Sequence, residues 1–180
     1  MKLALLSDIH ANIQAFDACL AHARAQGAQQ IALLGDLVGY GADPVAVVER
    51  AQQLSARGAL LVKGNHDELA VRPPAQVVTA GDTTAGWTHA KLSDSQRQFL
   101  DQLPLTLQQE TMLLVHASVD EPQRWRYVYD EQAAGASLDA AARALCVLRP
   151  CSPANLVSPQ CCGGFEEAQS KAGAGAAAVR

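Results

Sequence analysis

Residues 3–10 read LALLSDIH, a run of four apolar residues followed two positions later by an aspartate and then by a histidine. The same order of apolar run and polar cluster returns in IALLGD at residues 31–36 and in LLVKGNHD at residues 60–67. Apolar runs this short, bounded by glycine or polar residues, are typical of buried strands, and the segments between them carry apolar residues at helical spacing. The pattern predicts an α/β fold with a parallel sheet.

The polar clusters are predicted to meet in one place. Ligands of a parallel α/β sheet bind in the crevice outside the carboxyl ends of its strands, so Asp8, His10, Asp36 and Asn65 are expected to face a single crevice. A fourth apolar run, MLLV at residues 112–115, ends in His116 in the same manner. Mixed carboxylate, imidazole and amide ligands favour Mn, Fe, Zn or Ni over Ca. The sequence therefore predicts a site for two divalent metal ions, with Asp36 placed to bridge them.

Two further residues of the third cluster are candidates for catalysis. His66 follows Asn65 directly, so we expect it at the edge of the site, where it donates a proton to the leaving oxygen or a hydrogen bond to a phosphate. Asp67 is expected to orient His66. Two ions roughly 3.5–4 Å apart can clamp a phosphoryl group and lower the pKa of a bridging water. The predicted reaction is hydrolysis of a phosphate ester by an in-line displacement.

Plainer interpretations exist for each cluster taken alone. An isolated Asp-x-His is a weak signal, and Gly-Asn-His-Asp can be an ordinary polar turn. Four such clusters in order, each at the end of an apolar run, favour the metal site instead. We interpret the remaining histidines and the aromatic residues as surface, packing or rim residues: His22, His89, Trp87, Trp125, Tyr127 and Tyr129.

Composition narrows the class of protein further. A chain of 180 residues with 49% hydrophobic and 18% charged residues predicts one folded domain. A net charge of −4 argues against a broad surface for a nucleic-acid backbone. The absence of a signal sequence and of a membrane-length apolar run predicts a cytoplasmic protein. No Cys-x-x-Cys pair occurs among the five cysteines, so we expect reduced thiols rather than a zinc ribbon.

Local signals mark several helices and strands. Helices are predicted to begin at Asn12, at Asp43 with Pro44 in its first turn, and at Ser93, whose spacing to Gln96 is that of a capping box. Two strands are predicted at 105–110 and 111–117, and a later helix at 137–145. From about residue 147 the periodicity is lost, and we expect a disordered tail over 148–180 beside a domain over 1–147.

The ordered motifs resemble those of the calcineurin-like metallophosphoesterases, and in particular their small bacterial phosphodiesterase and diadenosine-tetraphosphatase-like branch. The resemblance covers residues 8–116 and includes Gly41 after the second cluster. It implies an αββα sandwich and a metal-dependent hydrolase acting on a small phosphomonoester or phosphodiester, with Mn the favoured metal. It also implies a ligand arrangement: Asp8, His10 and Asp36 on one ion, Asp36, Asn65 and His116 on the other, and His66 as the acid.

Two departures from the family pattern matter. The serine/threonine phosphatases of the superfamily carry Asp-Arg where this chain has Gly39-Tyr40, which argues against a phosphoprotein substrate. The final Gly-His-x-His motif, which supplies one histidine to each metal, is missing, and no histidine follows His116. The alternative function is therefore a catalytically silent relative that acts through weak metal binding or through partners, with the fold incomplete at its C-terminal end.

A change of reading frame near residues 147–148 would account for the missing motif. Back-translation allows it: codons such as TTG CGG CCA TGT TCA CCG would encode residues 148–153, and the same bases read one position later would encode Cys-Gly-His-Val-His. The hypothesis is that the tail is not the sequence with which this fold was selected.

Overall fold

The computed structural model describes residues 2–141 and the backbone of a strand at residues 145–147. The predicted disordered tail at 148–180 and the C-terminal completeness of the fold lie outside these residues. Within the described part, no helix is both long and apolar enough to cross a lipid bilayer.

Strands and helices alternate through the first half of the chain, as the sequence predicts. Their order is β1 (Leu3–Leu6), α1 (Ile13–Ala25), β2 (Gln30–Leu33), α2 (Pro44–Ser55), β3 (Leu60–Leu61), α3 (Asn65–Val71), α4 (Ala80–Lys91) and α5 (Asp94–Gln102). The second half contains β4 (Thr106–Gln109), β5 (Met112–Val115), a 3-10 turn (Pro122–Arg124), α6 (Glu131–Ala140) and β6 (Leu145–Val147). This mixed α/β architecture confirms the predicted fold class.

The strands form two three-stranded sheets. The first has the order β1-β2-β3, and both of its pairings are parallel, with Leu3 opposite Gln30 and Ala32 opposite Leu60. In the second, β5 is central, antiparallel to β4 and parallel to β6. All three strands of the first sheet therefore deliver their carboxyl ends to the same edge.

The central strand β2 packs on both of its faces, as its uninterrupted apolar run predicts, whereas Leu5 of the edge strand β1 is exposed. Neighbouring residues point to opposite faces of a strand, so Leu33 and Leu61 pack into one core while Ala32 and Val62 pack into another. The larger core contains Phe16 and Leu20 of α1, Val47 and Val48 of α2, and Leu100 of α5. The smaller core joins Ala32, Leu34 and Val62 to Leu114 of β5, so the second sheet stacks on the first.

The helix starts predicted from capping residues are confirmed. The Asn12 side chain accepts a hydrogen bond from the Ala15 amide, and Ser93 and Gln96 form the capping box of α5. Asp43 occupies the cap position of α2 but its carboxylate makes no capping hydrogen bond.

Three helices differ from the sequence-based prediction. The sequence predicts a helix over 137–145. In the structure, α6 spans Glu131–Ala140, and the strand β6 begins at Leu145. Helices α3 and α4 were not predicted at all. Helix α4 contains two glycines and three threonines, which are weak helix formers, and its start depends on the capping box between Thr79 and Asp82.

Candidate metal centre

Two loops at the carboxyl edge of the first sheet are joined to each other by backbone hydrogen bonds. The amides of Asp8, His10 and Ala11 donate to the carbonyl oxygens of Gly35, Asp36 and Leu37, at 3.2, 2.9 and 2.9 Å. The loop after β1 therefore runs alongside the loop after β2. This pairing places the side chains of the first two polar clusters next to each other.

Holding these loops together requires unusual backbone conformations. Residues 2–141 contain seven non-glycine residues with positive φ, and five of them lie in the two loops: Asp8, His10, Ala11, Asp36 and Tyr40, with φ between 47° and 61°. The left-handed region is unfavourable for residues with a Cβ and is found where the surrounding structure imposes it, often at functional sites.

Asp36 is at the centre of the cluster. Its Oδ2 atom lies 3.9 Å from Nε2 of His10 and 3.4 Å from Nε2 of His116, so one carboxylate oxygen faces two imidazoles. Its Oδ1 atom accepts a 2.8 Å hydrogen bond from the backbone amide of His66. The side chain of Asp36 is almost completely buried, at 1% exposure.

Each of the two imidazoles has a second polar neighbour. Nε2 of His10 lies 3.5 Å from Oδ1 of Asp8, and Nε2 of His116 lies 3.2 Å from Oδ1 of Asn65. Potential ligand atoms of Asp8, His10 and Asp36 all lie within 4.8 Å of one another. All five residues predicted as metal ligands are thus brought into one cluster.

The histidine rings are oriented in the way that metal ligands are. Nδ1 of His10 lies 3.2 Å from the carbonyl oxygen of Val38, and Nδ1 of His116 lies 2.5 Å from that of Leu34. A carbonyl oxygen can only accept, so in each ring Nδ1 carries the proton. Nε2 is then left to face the carboxylate and amide oxygens, where either a proton on Nε2 or a bound cation offsets their negative charge; such a hydrogen bond from Nδ1 commonly fixes the tautomer of a ligand histidine. The donor set therefore fits divalent metal ions.

The acidic residues also change the protonation of the histidines. Burial by itself lowers the pKa of His10, but its hydrogen bond with Asp8 and the charge of Asp36 outweigh burial and raise this pKa above its usual value. In His116, burial is likewise outweighed by the hydrogen bond with Asp36 and the charge of that carboxylate, and the pKa is raised. The site strongly favours positive charge.

His66 lies at the edge of this cluster, as predicted, in close contact with two other rings. Its ring centroid is 5.1 Å from that of His10 and 4.5 Å from that of Tyr40. Gly39, with φ at 92°, allows His66 to approach, because a Cβ on this glycine would lie 2.8 Å from Nδ1 of His66. The ring of His66 is therefore closely confined at the N-terminus of α3.

Asp67 has a different environment from the one expected. The sequence predicts that Asp67 orients His66; in the structure its Oδ1 accepts from the Val38 amide at 3.2 Å and its Oδ2 from the Gly64 amide at 2.9 Å. Asp67 thus joins the start of α3 to the loop after β2. Burial, followed by the charge of Asp36, raises the pKa of Asp67 to about 7.

The two remaining histidines stand apart from this cluster in the roles expected for them. His22 is exposed on α1, and Nδ1 of His89 lies 2.9 Å from the carbonyl oxygen of Ala70, which packs α4 against α3. Trp125 forms part of the rim, since its ring centroid lies 6.1 Å from that of His116.

Comparison with known proteins agrees with this geometry. Residues 1–146 match the family model of the calcineurin-like phosphoesterase superfamily domain. The chain belongs to the calcineurin-like phosphoesterase superfamily.

Similar proteins are found both by sequence and by structure. The chain is 33% identical over 135 residues to an uncharacterized protein of Methanocaldococcus jannaschii, an alignment that covers 72% of this chain and 54% of the other. It therefore spans about half the length of that curated relative. The crystal structure of a metallophosphoesterase from Sphaerobacter thermophilus superimposes with a TM-score of 0.70 and 30% identity, covering 82% of this chain and 59% of the other.

A third similarity concerns the branch of the superfamily. The structure of a candidate diadenosine tetraphosphatase matches with a TM-score of 0.50 and 25% identity, over 66% of this chain and 50% of its own. The placement among calcineurin-like phosphoesterases that the motifs predicted is confirmed.

Sequence reasoning missed the role of one residue beside the superfamily's polar clusters. The sequence marks Tyr40 only as part of a motif, yet its ring contacts both His10, at a centroid distance of 5.0 Å, and His66. The one available signal was its position between Gly39 and Gly41, where a turn is expected.

Proposed function

We propose that this chain is a metal-dependent phosphoesterase that hydrolyses a small phosphomonoester or phosphodiester. The observation that carries the proposal is the position of Asp36, whose Oδ2 faces the Nε2 atoms of His10 and His116 from one buried point. A carboxylate placed in this way can serve two cations at once. Membership of the calcineurin-like phosphoesterase superfamily gives the reaction class.

The proposed ligands divide into two sets that share one residue. Asp8, His10 and Asp36 would hold one ion, and Asp36, Asn65 and His116 the other. Ligands of this mixed oxygen and nitrogen character suit Mn, Fe, Zn or Ni, and we propose Mn. Two divalent ions, when bound, neutralise the phosphoryl oxygens and lower the pKa of a water for in-line attack.

The protein itself contributes positioning and a proton. Water supplies the oxygen that bonds to phosphorus and releases a proton to the solvent, from which His66 regains its own between turnovers, and the bond between phosphorus and the alcohol oxygen breaks. His66 is proposed to give that leaving oxygen its proton. Its confinement by Gly39 and by the rings of His10 and Tyr40 supports this role, because a proton donor must be held in a fixed orientation.

A direct assay tests the proposal. Purified protein supplied with Mn²⁺ should hydrolyse p-nitrophenyl phosphate or bis(p-nitrophenyl) phosphate, and metal analysis should find the ions bound to it. Asp8→Asn should abolish most of the rate, whereas Asp139→Asn, at an exposed carboxylate on α6, should not. A chain that binds metal weakly and hydrolyses neither ester would instead be the silent relative that the missing Gly-His-x-His motif implies.

A further inference from the structure

A cleft of about 520 Å³ opens beside the Asp8 and His10 side chains. Its walls come from two short segments, residues 8–12 with Gln14 after β1 and residues 40–43 after β2. This volume falls within the range of sites for small organic molecules. The cleft is thus large enough for a group attached to a phosphate that is held by the metal ligands.

One wall of the cleft is the ring of Tyr40. The residue is 54% exposed although its ring packs on His66. A 2.8 Å hydrogen bond from the Gly41 amide to the Gly39 carbonyl closes a tight turn around Tyr40, whose φ is 61°. The turn fixes the backbone of Tyr40, and its ring, which contacts those of His10 and His66, presents an exposed aromatic surface next to the candidate acid.

The polar groups of the cleft indicate what it does not bind. The described residues that line it include no lysine and no arginine. Apart from the metal-site residues and Tyr40, the polar side chains are Asn12, Gln14 and Asp43. The Asp43 carboxylate is not used to cap α2. Amide groups and a carboxylate suit a hydroxyl-bearing neutral group, whereas a second phosphate would meet a carboxylate with no cationic side chain to offset it.

We propose that this cleft holds the alcohol portion of the substrate, and that Tyr40 selects esters whose alcohol portion is uncharged and carries a planar aromatic ring. The inference rests on the proposed function, since only an ester has an alcohol portion to place. An aromatic ring of the substrate stacks on Tyr40, and its hydroxyl groups meet Gln14 and Asp43. Tyr40 thereby determines specificity, and the metal ligands determine the reaction.

A pair of substrates with the same leaving group isolates the role of the ring. Adenosine 5′-monophosphate and methyl β-ribofuranoside 5-phosphate both release a primary 5′-hydroxyl, and they differ in the base. With Mn²⁺ present, we expect kcat/KM to favour the adenosine ester by about tenfold, mainly through KM, as expected for stacking on one aromatic side chain. Because the comparison is a ratio, any general effect of Tyr40 on His66 cancels.

Three variants decide whether Tyr40 is responsible. Tyr40→Leu should reduce the tenfold preference to about one, and Tyr40→Phe should keep it. Tyr129→Leu is the matched control, since Tyr129 is 65% exposed and is not among the residues that line the cleft. If the parent protein shows no preference, or if Tyr40→Leu keeps it, the assignment of the cleft is overturned while the proposed function stands.

Binding of adenosine separates failure of the inference from failure of the proposed function. Titration calorimetry with adenosine, which has no phosphate, needs no turnover. We expect adenosine to bind the parent protein and to bind Tyr40→Leu at least about fivefold more weakly. Methyl β-ribofuranoside, which lacks the base, should not bind. If no ester is hydrolysed, the proposed function fails. Equal binding of adenosine to the parent and to Tyr40→Leu would overturn the assignment of the cleft to the alcohol portion.

Discussion

Asp36 differs from the other acidic residues of the site because one of its carboxylate oxygens faces two imidazoles at once. Oδ1 accepts the His66 amide and so fixes the start of α3, while Oδ2 faces the two imidazoles. A single side chain thus connects the fold to the proposed metal ions. Substitutions that alter only its charge separate these two contributions.

Asp36→Asn is expected to be the most damaging change of a single ligand. The amide retains an acceptor for the His66 amide but loses the negative charge shared by both ions. Metal content and turnover should fall together, turnover by more than the 10- to 100-fold that loss of an outer partner of a metal ligand costs. Metal analysis and p-nitrophenyl phosphate hydrolysis measure the two effects, and a variant with the parent's metal content and rate would show that Asp36 is not a bridge.

His66→Ala is expected to lower turnover without lowering metal content, because His66 is assigned to proton donation rather than to metal binding. Metal content should survive, and turnover should decrease by roughly 10²–10⁴. The loss should be smaller for esters with good leaving groups, which need less protonation. Equal losses for p-nitrophenyl and alkyl esters would assign His66 to phosphate binding instead.

At the scale of single elements, α3 depends on how closely two loops approach. Its first residue follows Gly64, where a Cβ would overlap both the backbone nitrogen and Oδ1 of Asp36. Any side chain at position 64 therefore displaces the residue on which the whole site is centred. Glycine is required here by contact rather than by φ, which is −104°.

Gly64→Ala should consequently destabilise the protein and impair the site together. We expect a loss of about 1–3 kcal/mol from the steric conflict and a lower metal content. Gly86→Ala provides the matched control, because Gly86 lies within α4 with open space around it. That change should stabilise α4 by about 0.5–1 kcal/mol and leave metal content unchanged. Thermal unfolding with and without Mn²⁺ measures these changes. If both variants behaved alike, the requirement for glycine at position 64 would be wrong.

The elements and ligands that the sequence predicted share one property: their signals are local. Capping residues at Asn12 and Ser93 and the short apolar runs mark α1, α5 and the strands without reference to the rest of the chain. Helix α4 does carry a local start signal, the capping box of Thr79 and Asp82, but α3 and α4 lack apolar residues at regular helical spacing and pack on each other. The role of Tyr40 and the bonding of Asp67 could not be predicted because each depends on a contact between segments that sequence spacing does not show.

At the scale of the whole molecule, the site is shared between the two sheets. His116 follows β5 of the second sheet, yet its Nδ1 contacts the Leu34 carbonyl just beyond β2 of the first. The smaller core, with Leu114 and Ala32 completely buried, maintains this alignment. Correct assembly of the proposed second ion site therefore depends on how the sheets pack.

Leu114→Ala tests this dependence at a distance from the ligands. Removing a fully buried leucine should cost about 2–5 kcal/mol and, by loosening the contact between the sheets, should reduce metal content. Leu138→Ala, at a partly exposed position on α6, should change stability by no more than about 0.5 kcal/mol. Denaturant unfolding and metal analysis on both variants measure this, and unchanged metal content in a destabilised Leu114→Ala protein would contradict the coupling.

The reading-frame hypothesis makes a prediction about the gene. Its nucleotide sequence should encode Gly-His-x-His in the shifted frame from codon 148 onward, and a protein expressed from the corrected frame should bind Mn²⁺ more tightly and unfold at a higher temperature. If the shifted frame contains no such motif, the composition of residues 148–180 is a genuine divergence from the superfamily.

The left-handed residues of the two site loops have a consequence for the engineering of this protein. Each of them destabilises the fold by about 1 kcal/mol relative to a conformation that its side chain prefers. Ala11 is the most telling, because it is buried, has no functional group and still adopts a φ of 53°. Ala11→Gly would relax that strain, and because the side chain of Ala11 is not a candidate ligand, the gain in stability would leave the proposed metal ligands in place.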